Sequence, residues 1–251
     1  MGMTTFGSRR AVLKASVAVL AFAGAGGVLA ACSPEAPAAP AADANPTVTT
    51  SYGPVRGQVE NGVAVSKGAH YGADTSTARS QAPKPPTPWT EPVDAFAYAN
   101  SAPQPPSADG GGLFASWRPN PPLPTSEDSL FLNVCTPAAD TGKRPVLVWF
   151  HGGGFVTGSG SSYAYDGVNL AKRGDVVVVT TNHRLNQFGY LNLAAYGEQF
   201  ADSGAVGALD MIQSLEWVRD NIAAFGGDPG NVLIFGESGG GSKVCTLMAM
   251  D

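Results

Sequence analysis

In this 251-residue chain, the segment VLIFGESGG at residues 232–240 is the strongest indicator of the fold. Its first four residues are apolar and predict a buried strand, and the glycines on both sides of Ser238 predict a sharp turn into a helix. A G-x-S-x-G turn between a strand and a helix is typical of a nucleophile elbow, whose strained backbone exposes the serine hydroxyl. The alternative is a glycine-rich surface loop, but such a loop is not expected directly after a buried strand. We therefore predict that Ser238 is a nucleophile.

Two related patterns are excluded by the order of the residues. Gly236 and Gly241 have the spacing of a phosphate-binding loop, but that loop continues with Lys and then Ser or Thr, whereas this chain has Ser242 before Lys243. Lys243 also does not lie three residues after Ser238, as the S-x-x-K pattern of Ser-Lys hydrolases requires.

Earlier segments predict further elements of the same sheet. Residues 130–136, 146–150 and 176–181 are apolar runs without alternation, which favours strands covered on both faces in a mostly parallel α/β sheet. Apolar residues recur at steps of three and four from Leu209 to Phe225 and predict a helix, with Asp210 and Gln213 on its other faces. Residues 48–65 predict two short strands, and residues 82–124 are interrupted by prolines.

A second glycine motif follows the predicted strand 146–150. It reads HGGGF at residues 151–155, and three glycines after a strand can point backbone N–H groups at a developing oxyanion without obstruction by side chains. The amide of Gly239 would complete such a hole. A plain glycine turn is the alternative, and the pairing with the Ser238 turn in this chain order argues against it.

With these two motifs, three further blocks make a specific resemblance over residues 47–251. The chain is similar to the type-B carboxylesterase/lipase family of α/β-hydrolases, which includes cholinesterases. The blocks are SEDSLFLNV at residues 126–134, NHRL and FGYL at residues 182–185 and 188–191, and IAAFGGDP at residues 222–229. The resemblance implies an α/β-hydrolase fold with a mostly parallel central sheet flanked by helices, here truncated after the helix that follows Ser238.

The resemblance also implies roles for single residues. Ser238 would accept the acyl group of a small ester substrate, and Gly153, Gly154 and Gly239 would donate to the oxyanion. Glu237 and His151 would support the site from beside it. No metal and no organic cofactor are implied.

The chain departs from the family pattern at several positions. Ser129 stands where the family often has a cysteine, and the cysteine that pairs with it is absent near Ala102, so one disulfide is missing as a unit. We expect Cys135 and Cys245 to be buried free thiols. His183 and Asn186 replace the usual tyrosine and glycine, so the local loop is expected to differ.

The base that should activate Ser238 is not found where the family has it. The triad runs Ser, acid, His along the chain, whereas His70, His151 and His183 all precede Ser238. We therefore expect a truncated product that lacks the catalytic acid and histidine, or one half of a split protein with a complementing C-terminal half. The alternative function is an inactive fragment or a hydrolase-like binding module held at a membrane.

The N-terminal residues predict export. Arg9-Arg10 before an apolar run predicts a twin-arginine signal peptide over residues 1–31, and the run is a poor transmembrane anchor because of its glycines. LAAC at residues 29–32 resembles a lipobox, so we expect acylation of Cys32, an Ala/Pro-rich tether over residues 32–46, and a periplasmic or cell-surface lipoprotein bound to a membrane surface. An incidental cysteine at a cleavage site is the alternative. The net charge of −5 gives no basic footprint for nucleic acid.

Overall fold

The computed structural model describes residues 43–105, 115–117 and 122–250. The predicted signal peptide, Cys32 and the tether up to residue 42 lie outside these residues. Within the described part, none of the helices has both the length and the apolar character that crossing a bilayer requires.

The described residues form nine strands and four α-helices, joined by short 3₁₀ turns. The strands are β1 Thr47–Thr49, β2 Pro54–Arg56, β3 Gln58–Glu60, β4 Val63–His70, β5 Val93–Asp94, β6 Phe131–Thr136, β7 Arg144–Phe150, β8 Val177–Thr181 and β9 Gly227–Gly236. The α-helices are α1 Val168–Gly174, α2 Asn186–Tyr190, α3 Val206–Asn221 and α4 Gly239–Met248. The 3₁₀ turns are Ala115–Trp117, Tyr163–Tyr165, Ala194–Tyr196, Glu198–Phe200, Ser203–Ala205 and Ile222–Phe225.

The main sheet has six strands in the order β3-β4-β6-β8-β7-β9, and β1, β2 and β5 form a second, smaller sheet. The strands predicted at 130–136, 146–150, 176–181 and 232–235 are all present. Within the main sheet as the structure describes it, parallel pairing is confined to β8, β7 and β9, so this sheet is more mixed than predicted. The hairpin from β3 to β4 accounts for part of the difference, because its tight turn at Asn61 and Gly62, both with positive φ, forces antiparallel pairing.

The parallel part of the sheet determines where the site lies. Phe150 at the end of β7 is in register with Thr181 on β8 and Gly236 on β9. Parallel strands end at the same edge, so the segments that follow Phe150 and Gly236 emerge side by side. These segments are the HGGGF motif and the turn that carries Ser238.

The core lies mainly between this sheet and α3. Val146, Val148 and Phe150 alternate along β7 and are all fully buried against a cluster that includes Met211 and Trp217 of α3. A smaller cluster on the other face of the sheet includes Val178 of β8 and Ala171 of α1. The sheet is therefore covered on both faces at its centre, as the unbroken apolar strands predict.

The predicted helix is present as α3, but its buried face is broader than the apolar stripe. Asp210 and Gln213, which we placed on other faces, are buried, whereas Leu209 is only half-buried. Gln213 is accommodated because its amide nitrogen donates to the carbonyl oxygens of Tyr71 and Lys84 over 2.8 Å and 2.9 Å. The prediction of these faces was wrong because irregular segments cover α3 on sides that the sheet does not reach.

Asp210 is held in the core by an ion pair with Arg184. The guanidinium donates to both carboxylate oxygens, with Nη2 2.7 Å from Oδ1 and Nε 2.9 Å from Oδ2. The two side chains are 2% and 0% exposed, and the backbone N–H of Arg184 also donates to Oδ2. This pair fixes the loop after β8 on α3, and that loop leaves the sheet at the same edge as the two motifs.

Replacing Arg184→Met is expected to lower the free energy of unfolding by about 3–5 kcal/mol, because the Asp210 carboxylate would remain buried without its cation. Urea unfolding followed by circular dichroism measures the change. The matched control is Arg219→Met, which breaks the exposed Arg219–Asp220 pair and should leave the unfolding midpoint unchanged. Equal midpoint shifts for both variants would contradict a special role for the buried pair.

Candidate active site

Ser238 occupies a strained turn between β9 and α4. Its backbone has φ 54° and ψ −121°, a conformation that side-chain-bearing residues avoid, and it is the residue directly before the first turn of α4. The residue is exposed. The strand, turn and helix predicted around Ser238 are therefore present, and the hydroxyl lies at the N-terminus of a helix, where negative charge is favoured.

Glycines allow this turn to lie against the end of β7. A Cβ added to Gly240 would overlap the carbonyl oxygen of Phe150, and one added to Gly236 would lie 2.6 Å from the same atom. The backbone of α4 thus touches the backbone of β7 without any side chain between them. This contact fixes the position of Ser238 relative to the segment that follows Phe150.

The HGGGF motif forms a tight loop beside the serine. Gly153 and Gly154 have φ values of +86° and +63°, and the carbonyl oxygen of Gly153 accepts hydrogen bonds from the amides of Val156 and Thr157. A Cβ added to Gly239 would lie 2.5 Å from the amide nitrogen of Gly154. The three glycines predicted to donate to an oxyanion are therefore brought together, next to Ser238.

Glu237 and His151 both lie close to Gly152 of this loop. Glu237 is exposed, and its Oε2 lies 2.8 Å from where a Cβ of Gly152 would be. His151 is 1% exposed and stacks on His183, with ring centroids 4.7 Å apart. Its Nδ1 lies 2.8 Å from the carbonyl oxygen of Gly152, so Nδ1 carries the hydrogen and donates it. Both residues thus contact the loop from positions consistent with support.

Among the residues that the structure describes, none forms a hydrogen bond with the Oγ of Ser238. His151 is unsuitable as a base because burial, reinforced by the positive charge of Lys243, lowers its pKa to about 3. His183 is fully buried, and burial also holds its pKa well below the usual value. His70 lies on β4 and its ring packs against Phe131.

Lys243 is a buried residue of the site that the sequence analysis did not identify. It is 0% exposed, and its Nζ donates to the backbone carbonyl oxygen of His151 over 2.8 Å. Burial lowers the pKa of its ammonium group to about 7. Helical spacing could have indicated this position, because Lys243 lies three residues after Gly240, on the face of α4 that meets β7.

The cysteines agree only in part with expectation. Cys135 is a buried free thiol, and burial raises its pKa to about 12. Cys245 is free but exposed, so its predicted burial was wrong: it lies on a face of α4 that no described element covers. Among the described side chains, no group of three or more His, Cys, Asp or Glu residues is arranged to hold a metal ion.

Comparison with known proteins identifies the family. The model of the carboxylesterase family matches residues 44–251. The chain belongs to the carboxylesterase family. It is 46% identical over 204 residues to the para-nitrobenzyl esterase of Bacillus subtilis, covering 81% of this chain and 40% of that protein. It is 39% identical over 203 residues to the phenmedipham hydrolase of Pseudarthrobacter oxydans, covering 80% of this chain and 39% of that protein.

A solved structure gives the same result for the fold. The crystal structure of a carboxylesterase from Geobacillus stearothermophilus matches with a TM-score of 0.71 and 46% identity, covering 79% of this chain and 39% of that one. The predicted α/β-hydrolase fold and the resemblance to type-B carboxylesterases are thereby confirmed. The chain spans about 40% of the length of the para-nitrobenzyl esterase that it matches.

Replacing Gly240→Ala is expected to destabilise the protein by about 1–3 kcal/mol, because the new methyl group would overlap the Phe150 carbonyl oxygen and neither backbone can move freely. Gly241→Ala is the matched control in the same helix. There, a Cβ would meet only the carbonyl oxygen of Gly236, at 3.6 Å, so a stabilisation of about 0.4–1 kcal/mol is expected. Thermal unfolding of both variants measures the difference, and a stable Gly240→Ala protein would contradict the backbone contact.

Proposed function

We propose that this chain supplies the nucleophile and the oxyanion hole of a carboxylic ester hydrolase that works through an acyl-enzyme on Ser238. The observation that carries the proposal is the exposed, strained Ser238 beside the clustered backbones of Gly153, Gly154 and Gly239. Membership of the carboxylesterase family supports the same chemistry.

The proposed reaction has two steps. Ser238 Oγ attacks the ester carbonyl carbon and gives its proton to a base, and the resulting oxyanion accepts hydrogen bonds from the loop glycines and Gly239. The tetrahedral intermediate then expels the alcohol, which takes up the proton, and leaves the acyl group on Oγ. Water attacks the acyl carbon by the same route, releasing the carboxylic acid and regenerating the serine.

We propose that the catalytic acid and histidine come from polypeptide outside these 251 residues, as a continuation or a complementing C-terminal half. The absence of any histidine after Ser238 supports this, as does the 40% share of the para-nitrobenzyl esterase that the chain spans. Apolar side chains at the edge of the described fold point the same way, since Leu233 on β9 is 58% exposed and Met248 on α4 is 78% exposed.

We also propose that the protein is exported by the twin-arginine route and held at a membrane surface by acyl groups on Cys32. The Arg9-Arg10 pair and the LAAC sequence at residues 29–32 support this. A small ester would then be hydrolysed outside the cytoplasm, close to the membrane. The name of the relative from Bacillus subtilis makes para-nitrobenzyl esters the first substrates to test.

When a longer product of the same gene supplies the base, a fluorophosphonate probe is expected to label Ser238, because an activated serine attacks its phosphorus. Ser238→Ala should abolish the labelling, and intact-mass spectrometry with peptide mapping measures both. Ser242→Ala is the control, since it removes an exposed serine of α4 and should keep the labelling. The same variants are then tested for hydrolysis of para-nitrobenzyl esters, with and without a longer product of the same gene.

Each outcome of that experiment is decisive. Labelling of Ser238, and hydrolysis that Ser238→Ala abolishes, would support the esterase. If Ser238 is not labelled even when the longer product of the gene is present, the proposal is overturned in favour of an inactive fragment or a hydrolase-like binding module.

Cells that express the full chain are expected to incorporate labelled palmitate into it, and Cys32→Ser should remove the label and release the protein from the membrane fraction. Cys245→Ser is the control, because it removes an exposed thiol away from the predicted lipobox. Gel fluorography and membrane fractionation give the readout. Equal incorporation into wild type and Cys32→Ser would contradict lipidation at this cysteine.

A further inference from the structure

Lys243 is a buried cation without a counter-charge. Within the described part of the chain, no carboxylate lies within ion-pair distance of its Nζ. Its hydrogen-bond acceptor is the carbonyl oxygen of His151, and the ring of Phe155 lies 5.7 Å away. Burying an ammonium group without a carboxylate partner costs free energy. An apolar side chain of the same length would fill the space without that cost.

The position of Lys243 links the two halves of the site. Gly239, Gly240 and Lys243 are the buried residues of α4, so they share the face that meets β7 and its loop. The two glycines bring the helix backbone against Phe150 and Gly154. One helical turn later, the ammonium group binds His151, the residue that joins β7 to the loop glycines.

We propose that Lys243 is a positioning residue, whose buried ammonium group holds the His151 carbonyl so that the amides of Gly153 and Gly154 stay beside Gly239. The proposal rests on the function proposed above, because it assigns Lys243 to the oxyanion hole of that reaction. The hydrogen bond from an ammonium to a carbonyl is charge-assisted and is stronger than a neutral one. It thus fixes the base of the loop from the same helix whose N-terminus carries the nucleophile.

The groups around Lys243 are neutral. His151 after β7 and His183 after β8 both face it, and both have pKa values lowered first by burial and then by the charge of Lys243. Both histidines therefore stay uncharged in the pH range where Lys243 titrates. Any change that depends on Lys243 between about pH 6 and 10 consequently reflects Lys243 itself.

The first arm of the test separates positioning from simple packing. Lys243→Met keeps the length of the side chain and removes the charge and the donor. The ammonium has a folded pKa of about 7, well below that of the unfolded chain, so the unfolded state binds the extra proton between the two values. The free energy of unfolding of the wild type therefore falls as the pH is lowered between these two pKa values. The methionine variant has no ammonium group and does not show this decrease. The midpoint of urea unfolding of the variant, relative to wild type, should be higher at about pH 6 than at about pH 10.

The second arm measures reactivity. The rate constant for fluorophosphonate labelling of Ser238 should fall about 100-fold in Lys243→Met, the size expected when a donor is misplaced. Lys243→Gln retains an N–H donor without the charge and should recover part of the rate. Cys245→Ala, on an exposed face of the same helix, is the control and should label like wild type. If Lys243 only stabilises the fold, Lys243→Met should lower the free energy of unfolding and the labelling rate together.

The third arm does not depend on activity. The amides of Val156 and Thr157 donate to Gly153 within the loop, and the amide of Gly240 donates to Glu237 within the turn. Hydrogen exchange measured by NMR should be about tenfold faster at the two loop amides in Lys243→Met and unchanged at Gly240.

The possible results separate the positioning role from the esterase activity. Unchanged loop exchange, or wild-type labelling by Lys243→Met, would overturn the positioning role. A wild-type chain that is not labelled even in the presence of the longer product, but whose loop exchange responds to Lys243→Met, would count against the esterase while upholding the contact.

Discussion

The site depends on one close approach, in which the backbone at the start of α4 lies directly against the end of β7. Gly236 and Gly240 make the approach possible, because a Cβ at either position would meet the carbonyl oxygen of Phe150. A helix normally stays farther from a strand, separated by side chains. Here the missing side chains bring the N-terminus of α4 to the edge of the sheet, so that Ser238 and the loop glycines converge.

Near that contact, fully buried polar groups join neighbouring loops and helices. Arg184 and Asp210 join the loop after β8 to α3, and His151 and His183 stack on each other near Lys243, which binds the first of them. Such groups stabilise a fold only weakly compared with apolar residues, because each must first be removed from water. They are directional, however, and therefore set the relative position of neighbouring loops more narrowly than apolar packing does.

Lys243 combines the close backbone contact of α4 with a buried polar interaction. The glycines allow α4 to touch the loop, but a contact between bare backbones does not by itself prevent one from sliding past the other. A hydrogen bond one turn further along the helix supplies that restraint. The buried cation therefore lowers the free energy of unfolding of the whole chain, whereas its hydrogen bond restrains only the loop.

Elements that depend on local conformation were predictable from the residues alone. The positive φ values of Gly153 and Gly154 agree with the freedom that glycine has there, and the apolar strands were recognisable as runs. The burial of polar residues was not predictable in this way. Asp210, Gln213 and Lys243 look like surface residues in the sequence, because their partners lie far away along the chain, Arg184 being 26 residues from Asp210 and His151 being 92 residues from Lys243. Burial and its effects on charge are properties of contacts between distant segments, which periodicity along one helix does not contain.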